Sequence, residues 1–133
     1  MGVTSKSERQ INFYYYPGHK LAKDCLAYAA SSDAILNAIN IEKTKITGTQ
    51  WVELAEKLGK NVTDLLETEH PVYAELYGKD SRVSQEDAIK ILQNHPEVLI
   101  YPIAVRGDKA IYAKMMTDIL KLTKSDLENA LEE

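Results

Sequence analysis

The chain has 133 residues, of which 44% are hydrophobic and 27% are charged, and its formal net charge is −4. That length suits one compact domain with its own core, and the composition excludes a largely disordered chain. The 20 acidic residues outnumber the 16 basic ones, and neither kind forms a patch that could follow a phosphate backbone. Nucleic acid is therefore not an expected partner.

The cysteine and histidine content also excludes several kinds of site. Cys25 is the single cysteine and cannot form an internal disulfide, and the three histidines follow no zinc-binding spacing. No apolar run approaches the roughly 20 residues of a membrane span, and the polar start lacks a secretory signal. We therefore expect a cytoplasmic protein without a metal site or a membrane contact.

The first third of the chain alternates strand and helix signals after a flexible N-terminus expected at residues 1–10. Ile11 to Tyr16 is aromatic and β-branched and stops at a Pro-Gly pair, which predicts the first strand. From His19 to about Ala30, apolar residues recur every three or four positions, which predicts a helix. Ala34 to Ile41 alternates and predicts a second strand. These three elements form a βαβ unit, which favours parallel pairing of its strands.

The middle of the chain, about residues 47–97, is expected to form a helical insertion. Thr47 and Gln50 resemble a capping box at the start of its first helix, and Gly59 ends that helix. The later predicted segments are a short helix capped by Asn61, one or two turns at Val72–Tyr77, and a helix from Ser84 to about His95–Pro96.

Two histidines of this insertion, His70 and His95, each precede a proline. A residue before proline is disfavoured in the helical region of backbone space, so helices usually end there. We therefore expect each histidine to close a helix rather than to bind a metal.

The last part of the chain predicts a hairpin and two helices. Val98 to Val105 and Ala110 to Ala113 are apolar, and the four residues between them have turn chemistry, which predicts a β-hairpin. Met115 to Leu122 and Ser125 to Leu131 predict closing helices, the second with a capping box. The acidic end is expected to be a solvated helix, with docking of a partner protein as the alternative.

The sequence from about Ile11 to Leu122 resembles the glutaredoxin-dependent arsenate reductase family, which also includes the Spx-type transcription regulators. The most specific match runs from His95-Pro96 through Leu99-Ile100 and Tyr101-Pro102-Ile103 to Gly107, similar in order and spacing to the family's His-Pro, Leu-Ile and Arg-Pro-Ile-x-Val sequence. The resemblance implies an α/β thioredoxin-like fold, with a mixed four-stranded sheet and a helical insertion, in a single domain over residues 11–133.

The resemblance also implies a cis peptide bond before Pro102, a proline that faces the active site in thioredoxin-like folds. Pro102 is independently unusual within an apolar strand, because it removes a donor from the hydrogen-bond ladder.

The residues that match the family's active turn lack its nucleophile. The family's turn reads Asn-Pro-x-Cys, whereas the matching residues here are Tyr16-Pro17-Gly18-His19, so that His19 stands at the nucleophile position. Tyr101 and Glu67 match two oxyanion-clamping arginines, and the third falls near Tyr112 to Lys114, where only Lys114 could substitute. Tyrosine and glutamate cannot supply the guanidinium fork that binds a tetrahedral oxyanion.

The candidate ligand-binding residues lie at this turn and beside the strand proline. Backbone amides at a helix start could hold an anion with help from His19 and Lys20, and an exposed turn without a ligand is the alternative. If Tyr16 and Tyr101 both line the cleft, it suits an apolar or peptide group better than an oxyanion; ordinary packing is the alternative. The full set is Tyr16, Pro17, Gly18, His19, Lys20, Tyr101 and Pro102.

Cys25 and His19 are the weak candidates for catalysis. A helix dipole lowers a thiol pKa only in the first helical turn, and Cys25 lies beyond that turn. The apolar neighbours of Cys25 predict that it is a small buried hydrophobe. A redox role through glutathione is the alternative if the thiol is exposed.

Together these observations predict a catalytically inactive or divergent arsenate reductase-like protein that acts as a binding or regulatory module without a cofactor. One alternative is a thiol oxidoreductase that uses Cys25 with glutathione or glutaredoxin, or an anion reaction assisted by His19. The other is an Spx-like regulator that binds RNA polymerase. Spx-type proteins commonly carry a Cys-x-x-Cys pair at the first turn, and this chain does not.

Overall fold

The computed structural model describes residues 10–30, 35–78, 81–115 and 118, and four strands in this part of the chain form one sheet. The strands are β1 (Gln10–Tyr15), β2 (Ile35–Asn40), β3 (Ile103–Arg106) and β4 (Lys109–Tyr112), in the spatial order β2-β1-β3-β4. β1 pairs parallel with β2 and antiparallel with β3, which pairs antiparallel with β4. The predicted mixed sheet, with its parallel βαβ unit, is confirmed.

Four α-helices surround this sheet within the described residues: α1 (Lys20–Ala30), α2 (Gly48–Lys57), α3 (Pro71–Tyr77) and α4 (Gln85–Asn94). Two 3₁₀ turns, Val62–Leu65 and Pro96–Val98, lie before α3 and after α4. Three of the helices and both 3₁₀ turns therefore lie between β2 and β3.

Local hydrogen bonds explain where α2 and α4 begin. Thr47 Oγ1 accepts from the Gln50 N–H at 3.1 Å, and Gln50 Oε1 accepts from the Thr47 N–H at 3.0 Å. Ser84 caps α4 by accepting from the Asp87 N–H at 3.2 Å. Gly59 follows α2 with φ +69°, a conformation that suits glycine. These predicted signals are confirmed.

Side chains of β1 alternate between two apolar clusters on opposite faces of the sheet. Ile11 and Phe13 pack in the smaller cluster with Cys25 of α1. Tyr14 packs in the larger cluster with Trp51 and with residues of the insertion. Because successive strand residues point to opposite faces, the sheet separates α1 and its cysteine from the larger cluster.

The strand predicted at Val98–Val105 is shorter in the structure. Val98 ends a 3₁₀ turn, Leu99 forms an isolated bridge with Leu66, and β3 begins at Ile103. Pro102 therefore lies just before β3, where its missing N–H costs no ladder hydrogen bond. The predicted hairpin is confirmed, but its turn is shorter: Gly107 and Asp108 connect the strands, whereas Arg106 and Lys109, predicted in the turn, pair at the ends of β3 and β4.

The cis bond implied before Pro102 is wrong, because the described residues contain no cis peptide bond. The trans form is the lower in energy for an X–Pro bond, by roughly 0.5–1 kcal/mol. In the structure, where this bond is trans, the Pro102 carbonyl accepts a hydrogen bond from the Ala113 N–H at 2.9 Å.

Several predictions concern parts of the chain outside the described residues. They are the flexible segment over residues 1–9 and the closing helices at Met115–Leu122 and Ser125–Leu131, apart from Met115 and Asp118. Gln10, predicted as part of the flexible segment, instead belongs to β1, where it pairs with Ile35. A single domain over residues 11–133 stays a prediction.

His70 begins a helix rather than closing one, so that prediction was wrong, whereas His95 ends α4 as predicted. The Nδ1 atom of His70 accepts a hydrogen bond from the Val72 N–H at 3.2 Å, and Pro71 is the first residue of α3. Proline suits that position because the first N–H of a helix has no intrahelical partner.

Replacing His70 should therefore destabilise the protein through α3. We expect His70→Ala to lower the free energy of unfolding by about 1 kcal/mol, the usual cost of losing an N-cap acceptor. His70→Asn should lower it much less, because asparagine can also accept at the N-cap. Urea denaturation followed by circular dichroism measures both. Equal losses in the two variants would show that the imidazole does not act as a cap.

Candidate functional site

The turn between β1 and α1 is covered by the ring of Tyr16. The Tyr16 carbonyl accepts from the His19 N–H at 3.2 Å, and the two rings lie 5.0 Å apart between centroids at an interplanar angle of 59°. A Cβ atom on Gly18 would lie 2.5 Å from Cε2 of Tyr16. Gly18 therefore allows the Tyr16 ring to lie against the backbone of the turn.

The Tyr16 phenol has acidic neighbours. Desolvation raises its pKa above the ordinary value, and the charges of Glu42 and Glu97, with a hydrogen bond to Glu42, raise it further. Glu97 Oε2 also lies 3.6 Å from Nδ1 of His95. A tetrahedral oxyanion beside the Tyr16 phenol would be repelled by these carboxylates.

The strand ends explain how Glu42 reaches Tyr16. β1 and β2 are parallel, and the Ile41 N–H donates to the Tyr15 carbonyl at 3.0 Å just beyond their carboxyl ends. The residues that follow the two strands therefore meet at one edge of the sheet, which is where α/β proteins commonly bind ligands.

A second aromatic group lies around the end of β4. The rings of Tyr101 and Tyr112 meet edge to face with centroids 5.1 Å apart. The Tyr112 hydroxyl donates to the Leu65 carbonyl at 3.1 Å, and Nζ of Lys60 lies 6.0 Å from the Tyr112 ring centroid. Burial is the main cause that raises the pKa of Tyr112. This phenol stays neutral near pH 7 and holds the 3₁₀ turn against the sheet.

Glu67 lies on the segment that follows this 3₁₀ turn. Its N–H donates to the Val98 carbonyl at 2.8 Å, and the Leu66–Leu99 bridge continues the same contact. The backbones carrying Glu67 and Glu97 are therefore neighbours, and each supplies a half-buried carboxylate.

Cys25 lies in a different environment from the turn. Its residue surface is 0% exposed, and it packs with Ile11, Phe13, Ala104 and Ala113 in the smaller cluster. Tyr16 instead packs against the larger cluster. Burial raises the pKa of Cys25 to about 11, and the carboxylates of Asp118 and Asp24 add to that shift. The thiol is therefore neutral near pH 7 and is separated from Tyr16 by the sheet.

Comparison with known proteins identifies the family of this chain. The sequence model of the ArsC family matches residues 14–122. The chain belongs to the ArsC family. No curated protein matches the sequence.

Solved structures agree with this assignment at the level of the fold. The arsenate reductase from Vibrio cholerae superimposes with a TM-score of 0.76 at 21% identity, over 86% of this chain and 98% of that one. A Yersinia pestis protein provisionally named as an arsenate reductase superimposes with a TM-score of 0.74 at 20% identity, over 84% of this chain and 98% of that one. This ArsC-family protein thus has the predicted thioredoxin-like fold.

The predicted site residues of this ArsC-family protein either follow the end of β1 or precede the start of β3, two strands that pair antiparallel with Tyr14 opposite Ile103. Tyr16 to Lys20 form the turn and the start of α1, whereas Tyr101 and Pro102 precede β3. The predicted neighbours Tyr16 and Tyr101 each have a different aromatic partner, His19 and Tyr112. Glu42 and Glu97 were not among the predicted site residues, although the parallel pairing of β1 and β2 could have indicated Glu42.

Two further observations concern metals and membranes. Across residues 10–30, 35–78, 81–115 and 118, no three His, Cys, Asp or Glu side chains come together as a metal-binding group. The helices of the same residues include none with the length and apolar character needed to cross a bilayer.

A methyl group on Gly18 should displace the Tyr16 ring. The added Cβ of Gly18→Ala would lie too close to Cε2 of Tyr16, and the half-exposed ring is the part that can move. We expect the Tyr16 ring resonances to lose the ring-current shift from His19, with a loss in unfolding free energy below about 1 kcal/mol. Aromatic NMR spectra, with Gly48→Ala as the control, measure this effect. Unchanged Tyr16 resonances would contradict the contact.

The protein should lose stability at alkaline pH partly through Cys25. Its pKa is raised from 9.0 to about 11 on folding, so the stability from the neutral buried thiol is complete below pH 9 and is lost as pH rises toward 11. Its contribution is on the order of 2 kcal/mol. Unfolding free energies of the wild type and Cys25→Ala between pH 7 and 11 should converge. Parallel pH profiles would contradict this prediction.

Proposed function

We propose that this ArsC-family protein does not reduce substrates through a cysteine thiolate and instead acts as a binding module at the Tyr16 turn. The observation that supports this most strongly is the position of Cys25, which is fully buried on the opposite face of the sheet from Tyr16. Thiol chemistry needs an accessible thiolate. In this proposal the protein is a divergent family member that lacks the active-site cysteine.

The chemistry of the turn supports a ligand other than an oxyanion. Tyr16 presents a half-buried ring, and Glu42 and Glu97 place negative charge beside its phenol. Aromatic rings contribute apolar contact area and hydrogen bonding together, so they suit an uncharged peptide-like group. The proposed ligand is therefore an apolar or peptide group, held at the turn without a cofactor.

A coupled assay tests the absence of thiol catalysis. Arsenate-dependent oxidation of reduced nicotinamide cofactor would be followed with glutathione, glutaredoxin and glutathione reductase present, for the wild type and Cys25→Ser. We expect neither the wild type nor Cys25→Ser to raise the rate of oxidation above that of the same assay mixture without the protein. Turnover that disappears in Cys25→Ser would overturn the proposal and identify Cys25 as a displaced nucleophile that works with glutathione.

An amide NMR titration tests the binding step. N-acetyl-phenylalanine amide, an uncharged peptide-like probe, should shift the amides of Gly18, His19 and Lys20, and arsenate at the same concentration should not. Tyr16→Ala should abolish the shifts, whereas Tyr77→Ala, a change to another half-buried tyrosine on α3, should not. A response to arsenate instead of the amide would overturn the proposed ligand class.

A further inference from the structure

A cavity whose lining includes no residue of the Tyr16 turn lies between the 3₁₀ turn at Val62–Leu65, α3 and the segment that leads into α4. Its volume is about 390 Å³, within the range of small-molecule sites in proteins, which is roughly 300–1,000 Å³. Its polar lining includes Thr63, Asp64, Ser81 and Arg82. The cavity is therefore large enough for a small polar ligand.

Hydrogen bonds hold the walls of this cavity in place. The Tyr73 hydroxyl donates to the Ser81 carbonyl at 2.7 Å, which ties α3 to the opposite wall. The Ser81 hydroxyl donates to the Gly78 carbonyl at 2.7 Å. Asp64 Oδ2 accepts from the Asn61 N–H at 2.9 Å, which fixes this carboxylate at the 3₁₀ turn. A ligand would therefore meet groups that are already positioned.

Two opposite charges line the same cavity without forming a direct ion pair. Asp64 and Arg82 both have exposed side chains, and among the described residues the ion pairs within 4.0 Å include none between them. The guanidinium of Arg82 can donate a bidentate pair of hydrogen bonds to a carboxylate. Asp64 has a second carboxylate oxygen, Oδ1, with which it can accept from an ammonium group.

We propose that this cavity binds a small zwitterion of the amino acid or dipeptide class. The carboxylate of the ligand pairs with Arg82 and its ammonium group pairs with Asp64. The hydroxyl of Thr63 is available for a polar backbone group, and Leu66 and Val83 offer apolar surface to a side chain. This site is separate from the Tyr16 turn, so its existence does not depend on the function proposed there.

Three forms of one dipeptide test the proposal. Alanyl-alanine with both termini free, its N-acetylated form and its C-terminal amide would each be titrated into the full chain and followed by the amide resonances of Thr63, Ser81 and Val83. We expect saturable shifts with the free dipeptide, and affinities for the two blocked forms that are at least about tenfold weaker, equivalent to 1.4 kcal/mol each.

Charge-removing variants assign the two ends of the ligand. Arg82→Gln should lower the affinity for the free dipeptide by roughly tenfold and remove the preference for a free carboxylate. Asp64→Asn should remove the preference for a free ammonium group, while its amide oxygen still accepts from the Asn61 N–H. Lys90→Gln, which removes an exposed positive charge on α4 outside the cavity lining, should bind like the wild type.

Two results would overturn the inference. One is the absence of saturable shifts at Thr63, Ser81 and Val83 with all three dipeptide forms. The other is equal binding of the free and blocked forms, since recognition of both termini is the content of the proposal. Neither result would change the expected outcome of the arsenate assay or of the titration at the Tyr16 turn.

Discussion

Cys25 in the folded protein should react with iodoacetamide at pH 8 about two orders of magnitude more slowly than a free cysteine. The pKa of Cys25 is raised from 9.0 to about 11 by burial and by nearby carboxylates, so about 0.1% of it is thiolate at pH 8, against roughly a tenth of an unfolded cysteine. Complete burial of the residue slows the reaction further, because the reagent must reach the sulfur.

The measurement is the rate of mass increase under native conditions and in urea. Urea should restore the rate of a free cysteine, because unfolding removes both the burial and the raised pKa. Rapid native labelling, equal to that in urea, would contradict the buried position of Cys25. It would also reopen a redox role for this thiol.

A thiol moved to the turn provides the matched comparison. In a Cys25→Ser background, His19→Cys places the thiol directly before the first residue of α1, beside backbone N–H groups with no intrahelical acceptor. Such a position lowers the pKa of a thiol. We therefore expect this variant to label at least about 100-fold faster than native Cys25. Similar rates would show that the fold does not distinguish the two positions.

The strands and caps could be predicted because their signals are local. The Ile11–Tyr16 run, the Thr47–Gln50 capping box and the turn after Arg106 each depend on residues close in sequence, and the structure shows all three. The apolar neighbours of Cys25 likewise indicated its burial correctly. In these segments, local preference and tertiary packing favour the same structure.

The segment from Val98 to Pro102 could not be assigned from its apolar character. Val98 and Leu99 are fully buried, yet one ends a 3₁₀ turn and the other forms an isolated bridge. A short buried apolar run has no periodicity that separates a strand from other buried backbone. Contact with Leu66, more than thirty residues earlier in the chain, determines its conformation.

The environment of Tyr16 shows a similar limit for the candidate site. The sequence indicated that Tyr16, Gly18 and His19 share a turn, but not that the Tyr16 ring lies over Gly18. Glu42 and Glu97 influence the Tyr16 phenol from two other segments. Their effect depends on the pairing of β1 with β2 and on the packing of the insertion, which a single sequence does not specify residue by residue.

Truncation of Trp51 should destabilise the protein far more than its replacement by phenylalanine. Trp51 is 1% exposed and packs within the larger cluster, so Trp51→Ala is expected to lower the free energy of unfolding by about 3–5 kcal/mol. Trp51→Phe keeps most of the apolar volume. It also removes an indole N–H that has no hydrogen-bond acceptor among the described residues.

The two effects of Trp51→Phe oppose each other. The smaller ring loses packing, but an unpaired buried donor costs roughly 1–3 kcal/mol, and its removal offsets that loss. We therefore expect a net change within about 1 kcal/mol. Urea denaturation must be followed by far-ultraviolet circular dichroism, because Trp51 is the sole tryptophan. Lost volume alone would make Trp51→Ala the more destabilising of the two changes. If the two variants instead lose equal free energy of unfolding, the indole N–H has a hydrogen-bond acceptor in solution.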